Sequence, residues 1–212
     1  MVKLNNLFAF YGYMLLEKVR KFDEGHRALI YTALYKGYKV AIKKSKETAA
    51  GNTVANEAKW LKLLNKFKIG PRFVFSSDDI LIYKFVDGAL LPEFISKVKN
   101  VKPVLKKVLD QCRVMDKLRV NKEEMTNPYK HIFVKGGKVT MIDFERCKKT
   151  SKPKNVTQFC QYLTSGFLSG LLRKKGIEFD KEKMILLLKN YKRKMSDENY
   201  KRYKRILKFI IG

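Results

Sequence analysis

The chain has 212 residues, with 47 Lys and Arg against 20 Asp and Glu, for a formal net charge of +27. Hydrophobic residues make up 45% and aromatics 12%, enough apolar material for a core, which excludes a disordered basic tail. No run is long and apolar enough for a membrane span, and Leu7–Leu16, though apolar, lacks a cleavage site and reads as part of the folded chain. Cys112, Cys147 and Cys160 are odd in number and form no CxxC pair, which argues against a disulfide framework or a zinc site and for a cytoplasmic setting.

In chain order, Arg27–Lys44 is rich in Tyr, Leu, Val and Ile and breaks at Lys36-Gly37, the pattern of two strands and a tight turn. Residues 52–68 predict a helix with Val54, Ala58, Leu61 and Leu64 on one face, ended by Gly70-Pro71. Phe73–Phe75 and Ile80–Val86 predict a second hairpin. Asp87-Gly88 then interrupts the chain, dividing it at 1–88 and 89–212. Helices are expected at 91–98 and 103–118, an irregular stretch at 119–130, a short hairpin of Ile132–Val134 and Val139–Ile142 around Gly136-Gly137, and helices from about Val156 onward. The fold class is α+β: a β-rich first part with one helix, then a mostly helical part.

The excess charge is uneven. Residues 1–90 carry 16 basic and 8 acidic residues, and residues 91–212 carry 31 and 12. A surplus this large fits a polyanionic neighbour, nucleic acid being the commonest. The densest cluster, Lys189–Lys208, predicts two helical stretches meeting at Ser196-Asp197. In the second, Tyr203, Ile206 and Ile210 share one face and Lys201, Lys204, Arg205 and Lys208 the neighbouring surface, with Arg202 in the same run. The same stripe would also serve as a solvated face.

Glu57 lies on the apolar face of the predicted helix, where a carboxylate is costly without a partner. Upstream, Val40-Ala41-Ile42-Lys43 is a strand in which Val40 and Ile42 face one way and Ala41 and Lys43 the other. A strand lysine paired with a helix glutamate is the arrangement by which protein kinases hold the lysine that grips ATP phosphates. A hundred residues on, Val139–Phe144 is a strand ending in Asp143-Phe144, followed by Glu145. Between these pieces, Leu81–Gly88 reads as a strand, a hinge and a glycine, and Asp23–Arg27 forms a turn with the single glycine Gly25 before the expected first strand.

In order and spacing this set resembles the small atypical serine/threonine protein kinases of archaea, close to the RIO and Bud-type members of the protein kinase-like superfamily, over about residues 20–170. The resemblance implies a two-lobed kinase-like fold, with a β-rich N-lobe and a compact helical C-lobe, and phosphoryl transfer from ATP with Mg²⁺ or Mn²⁺. It implies that Lys43 holds phosphates and Glu57 orients it. Gly25 and Ala41 line the nucleotide, Tyr83 stands behind the adenine, and Lys84, Phe85 and Val86 form the hinge. Asp143 is implied as a metal ligand.

Around the catalytic loop the chain departs from the family pattern. Asn121–Ile132 places Glu124 where the family has its aspartate base and His131 where it has its metal-binding asparagine. Glu145 replaces a glycine and is expected to share the metal with Asp143. With only about ten residues between Glu145 and the next helix, there is no room for a long activation segment. The expected enzyme is a monomeric cytoplasmic kinase acting on a protein. The alternatives are a nucleotide-binding pseudokinase that docks on RNA or the ribosome through its basic surface, and a small-molecule phosphotransferase.

Overall fold

The computed structural model describes residues 15–47, 53–192 and 199–212, the backbone alone for Asn199 and Tyr200. The stretch around Ser196-Asp197, expected to cap the last helix, lies outside the described residues, as does Leu7–Met14. The fold is α+β, and its contacts divide it into two units. One takes in the described residues up to Val86 together with Asp143–Arg146; the other comprises Asp87–Ile142 and Cys147–Gly212.

The first unit is built on a five-stranded antiparallel sheet of β1 (Glu17–Glu24), β2 (Ala28–Tyr35), β3 (Tyr38–Ser45), β4 (Phe73–Ser76) and β5 (Ile80–Lys84), in the order β1-β2-β3-β5-β4. The β2–β3 turn falls at Lys36-Gly37, both residues in the left-handed conformation that a two-residue hairpin loop demands. Val40 and Ile42 join Ala33, Ile80 and Ile82 in a buried cluster on one face of the sheet. Helix α1 (Thr53–Asn65) is shorter than the expected 52–68. It buries Val54, Ala58, Leu61 and Leu64 and leaves Lys59 and Lys62 in water. Its chain turns off at Lys66–Lys68, and the side-chain amide of Asn65 ties the exit by donating to the carbonyls of Ile69 and Pro71.

Strand β1 is an element that the sequence pattern did not predict. Apart from the half-buried Val19, every residue in it is exposed, so no apolar alternation marks it. It exists because its backbone pairs with β2, across two irregularities of register. The Asp23–Arg27 turn therefore joins two strands rather than preceding the first.

In the second unit, β6 (Ala89–Leu90), β8 (Ile132–Lys135) and β9 (Lys138–Met141) form one small sheet, and β7 (Val120–Asn121) pairs with β10 (Lys148–Lys149). Helix α2 spans Leu91–Lys97, and α3 spans Lys102–Lys117. Val104, Leu105, Val108, Leu109, Cys112 and Met115 bury the inner face of α3. Burial of each large apolar side chain of this kind is worth roughly 1.5–3 kcal/mol. A single 3₁₀ turn, Glu123–Thr126, sits in the stretch expected to be irregular. Helices α4 (Asn155–Leu163), α5 (Gly166–Arg173), α6 (Lys181–Lys192) and α7 (Asn199–Ile211) follow, with α3 packed on α4 and α7. On α7, Tyr203, Ile206 and Ile210 are buried and Lys201, Lys204, Arg205 and Lys208 exposed, the division that the sequence pattern expects. All three cysteines are buried free thiols. Among the described residues no helix is long and apolar enough to cross a membrane.

Candidate functional site

The side chains that carry chemistry in the first unit converge on Lys43. The β3 register puts Lys43 and the buried Ala41 on the face opposite Val40 and Ile42, and α1 presents Glu57 from its buried face. The Lys43 ammonium donates to Glu57 Oε2 at 2.6 Å, Asp143 Oδ1 at 3.2 Å and Glu145 Oε2 at 3.1 Å. Burial works against its charge, but the carboxylates of Glu57, Asp143 and Glu145 outweigh that and hold its pKa above the ordinary lysine value. Glu57 shows the reverse balance. Burial, with Asp143 adding, pushes its carboxyl up, although Lys43 and the Phe144 N–H favour the ionised form.

The Asp143–Arg146 segment is pinned into this unit by several contacts. Phe144 N–H donates to Glu57 Oε1 at 3.1 Å, and the Asn56 amide donates to the Glu145 carbonyl at 2.7 Å. Asn56 is itself oriented by Trp60, whose indole N–H donates to it at 3.0 Å. The fully buried Phe144 ring lies against Gly70, which has φ +84 and where an added Cβ would stand 2.9 Å from Phe144 and 2.7 Å from Leu61. Only glycine fits there without moving the segment. Asp143 takes φ +64, an uncommon conformation for a non-glycine residue that such surrounding contacts sustain.

Ligand oxygens of Glu57, Asp143 and Glu145 lie within 4.8 Å of one another, a grouping able to hold a metal ion. All are hard carboxylate donors, the set that Mg²⁺ and Mn²⁺ prefer. Arg27, at the β1–β2 turn, reaches Glu145 Oε1 at 3.3 Å. The sequence pattern gives Arg27 only as the end of the Asp23–Arg27 turn and Asn56 only as the neighbour of Glu57; nothing local points either of them at Glu145.

Tyr83 to Val86, expected to form a hinge, belong to the same unit. Tyr83 is half-buried, and its hydroxyl is pushed well above the ordinary tyrosine range by burial and then by the charge of Glu57. The N–H groups of Lys84 and Phe85 already donate to the Arg72 and Lys39 carbonyls, at 2.8 Å and 3.0 Å. The Phe85 ring meets Phe22 edge-on at 5.4 Å and carries the Lys39 ammonium at 3.8 Å from its centroid. The backbone N–H groups of Lys84 and Phe85 are therefore both committed to carbonyls of this unit. Gly25 sits at the β1–β2 turn, its N–H donating to the Ala28 carbonyl at 2.9 Å.

Glu124 and His131 belong to the second unit. Glu124 is half-buried, its side chain 6% exposed, with Lys122 Nζ at 3.2 Å from its Oε2. His131 donates its backbone N–H to Pro128 and accepts from Ile142 N–H, and its side chain lines a cavity there. The segment is held from below. Asn155 Oδ1 accepts from Lys122 N–H, and Asn155 Nδ2 donates to Asp116 and to the Val120 carbonyl. Asp116 also accepts from Tyr191 at 2.9 Å, and burial pushes its carboxyl above the usual aspartate value.

No protein-family model matches the chain, and no curated protein does.

Proposed function

We propose that the chain is an ATP-dependent phosphotransferase of the atypical serine/threonine protein kinase type. The observation that carries this reading is the buried Lys43–Glu57 pair at 2.6 Å, joined through the same ammonium to Asp143 and Glu145. A lysine on the third strand, oriented by a helix glutamate and set beside a strand-end aspartate, is what phosphoryl transfer from ATP requires of a kinase.

In this reading Lys43 exchanges carboxylates for ATP phosphates and acts as a positioned charge, with Glu57 fixing its direction. Asp143 and Glu145 hold the divalent cation, Glu145 standing where the family pattern has glycine. A bound Mg²⁺ supplies charge neutralisation to the phosphate oxygens. Ala41, Tyr83 and Val86 border the base. Glu124, which the resemblance implies as the proton acceptor, is held by Lys122 within the second unit. Because the transferring phosphoryl group has a loose transition state, positioning and electrostatics carry most of the work and the base carries least.

The test is nucleotide binding and turnover with Mg²⁺ and Mn²⁺. Lys43→Met is expected to weaken ATP affinity or turnover at least tenfold, about 1.4 kcal/mol. Asp143→Asn is expected to abolish the enhancement of nucleotide binding by metal, and Glu145→Gln to reduce it. Wild-type binding and turnover in Lys43→Met would overturn the reading. A Glu145→Gln protein with an unchanged metal titration would remove only Glu145 from the metal set.

A further inference from the structure

Within the second unit a cavity of about 610 Å³ opens between the segment after the 3₁₀ turn and the start of α5. That volume is in the range of sites that take a small molecule or a single ring system. Tyr129 and Phe167 stand in its wall with ring centroids 5.9 Å apart, tilted by 57°. Both rings are exposed, Tyr129 by 37% and Phe167 by 59%. The core does not need Phe167, because Leu168 and Leu172 anchor α5 and are fully buried. Aromatic rings left in water beside a cavity are a recognition feature.

The cavity also carries polar groups in want of a ligand. Tyr162 lines it and is only 5% exposed, and among the described residues its hydroxyl has no hydrogen-bond partner. Burial, with Tyr129 adding, pushes that hydroxyl up to about 12, so it remains a proton donor at neutral pH. Ser165, the N-cap of α5, makes no capping bond with its side chain. Lys130 adds a cation to the same wall.

Charge selects among ligands. A lone small anion needs one or two positive charges, whereas this chain carries a surplus of 27, the signature of a polyanion. An acidic protein brings carboxylates but few flat faces to lay on Tyr129 and Phe167. A nucleic-acid duplex hides its base faces in the stack. A single strand offers both a base face and a phosphate at each step.

We propose that this cavity seats an unpaired base of single-stranded nucleic acid, stacked on Tyr129 and Phe167, with the adjoining phosphate held by Lys130. The polar edge of the base supplies the partner that the Tyr162 hydroxyl lacks. Every residue invoked belongs to the second unit, so the inference does not rest on the phosphotransfer reading.

The test is fluorescence anisotropy of the full chain with a labelled uridine oligomer of about ten nucleotides, at low salt and then across a salt series. Phe167→Ala is expected to weaken binding roughly tenfold, as loss of a stacking ring does, with little change in salt slope. Lys130→Gln should lower that slope by about one. Tyr162→Phe should weaken binding several-fold while leaving thermal stability at or above wild type, since it removes a buried hydroxyl without a partner; a purely structural Tyr162 would move neither the affinity nor the slope. The proposal is overturned if the wild type does not bind the oligomer at low salt, if Phe167→Ala and Tyr162→Phe both bind as wild type, or if uridine monophosphate or a duplex of equal length binds as tightly as the single strand.

Discussion

Lys43 and Lys122 are both withdrawn from water, with side-chain exposures of 11% and 0%, but the two regions around them are organised differently. Lys43 gathers three carboxylates from a strand-facing helix and a distant strand end, and one of them, Asp143, sits on a left-handed backbone. Lys122 contacts Glu124, two residues away, while its backbone is clamped by Asn155, which is itself held by Asp116. Lys43 and Arg27 bring two cations to three carboxylates, so the first arrangement holds an excess of acid, which in the proposed function serves a divalent cation. The second places Lys122 against Glu124 from its own stretch of chain, over a clamp of Asn155, Asp116 and Tyr191 that fixes the backbone path. Burial of a lysine alone therefore says little about function; the elements that deliver the acids around it say more.

The largest effect that would sharpen this contrast is expected at Lys122. Lys122→Met leaves the Glu124 carboxylate buried without that cation, and loss of one partner of a buried pair costs about 3–5 kcal/mol. Urea or guanidinium denaturation should show this loss. Nucleotide binding, measured well below the midpoint, should remain within twofold of wild type, the reverse of what Lys43→Met does. A loss under 1 kcal/mol, or a nucleotide defect as large as that of Lys43→Met, would erase the distinction between the two lysines.

A smaller effect separates the regions by pH. Burial raises the Asp116 carboxyl above its unfolded value of about 3.9. The folded state therefore keeps a proton that the unfolded state has already lost. Asp116 contributes most to stability below its unfolded pKa, and that contribution falls as pH rises through the folded pKa. Asp116→Asn, which resembles the protonated acid in shape, removes this dependence. Its stability should fall less steeply than wild type as pH rises above about 4. Parallel stability curves for the two proteins would mean that Asp116 titrates as an ordinary aspartate, and the clamp under Lys122 would then have to be described as ionic.

What the sequence made legible follows the range of the interactions involved. The β2–β3 hairpin was readable because its turn residues and its β-branched and aromatic runs are adjacent in the chain. The inward face of α1, with Glu57 on it, was readable from spacing within thirteen residues. Asp143 and Glu145 were readable only as the end of a strand; that they meet Lys43 depends on contacts across about a hundred positions. Arg27 on Glu145 spans still more, and no local signal announces it. The clamp of Asp116, Asn155 and Tyr191 was invisible for the same reason, since its members come from α3, α4 and α6. Strand β1 was missed for a different one: its exposed residues carry no alternation, and only its backbone pairing makes it a strand.

The smallest expected effect concerns Gly25, and it asks whether the first region's turn faces a ligand. The turn is tied down by ion pairs of the exposed Glu24 with Lys21 and Lys46, both at 2.6 Å. The backbone of Gly25 is not left-handed, and a Cβ added there would meet the Ala28 carbonyl at 3.5 Å, an ordinary contact. The fold therefore does not require glycine at this position, and Gly25→Ala should leave stability unchanged or raise it by about 0.4–1 kcal/mol through the unfolded chain. If the turn covers nucleotide phosphates at close approach, the added methyl should still lower ATP affinity by a few-fold, with Lys43 and its carboxylates untouched. Titration of the Gly25→Ala protein with ATP and Mg²⁺ reads this directly. Affinity equal to wild type, with stability also unchanged, would remove Gly25 from the nucleotide site and confine that site to Lys43, its acids and the Tyr83–Val86 segment.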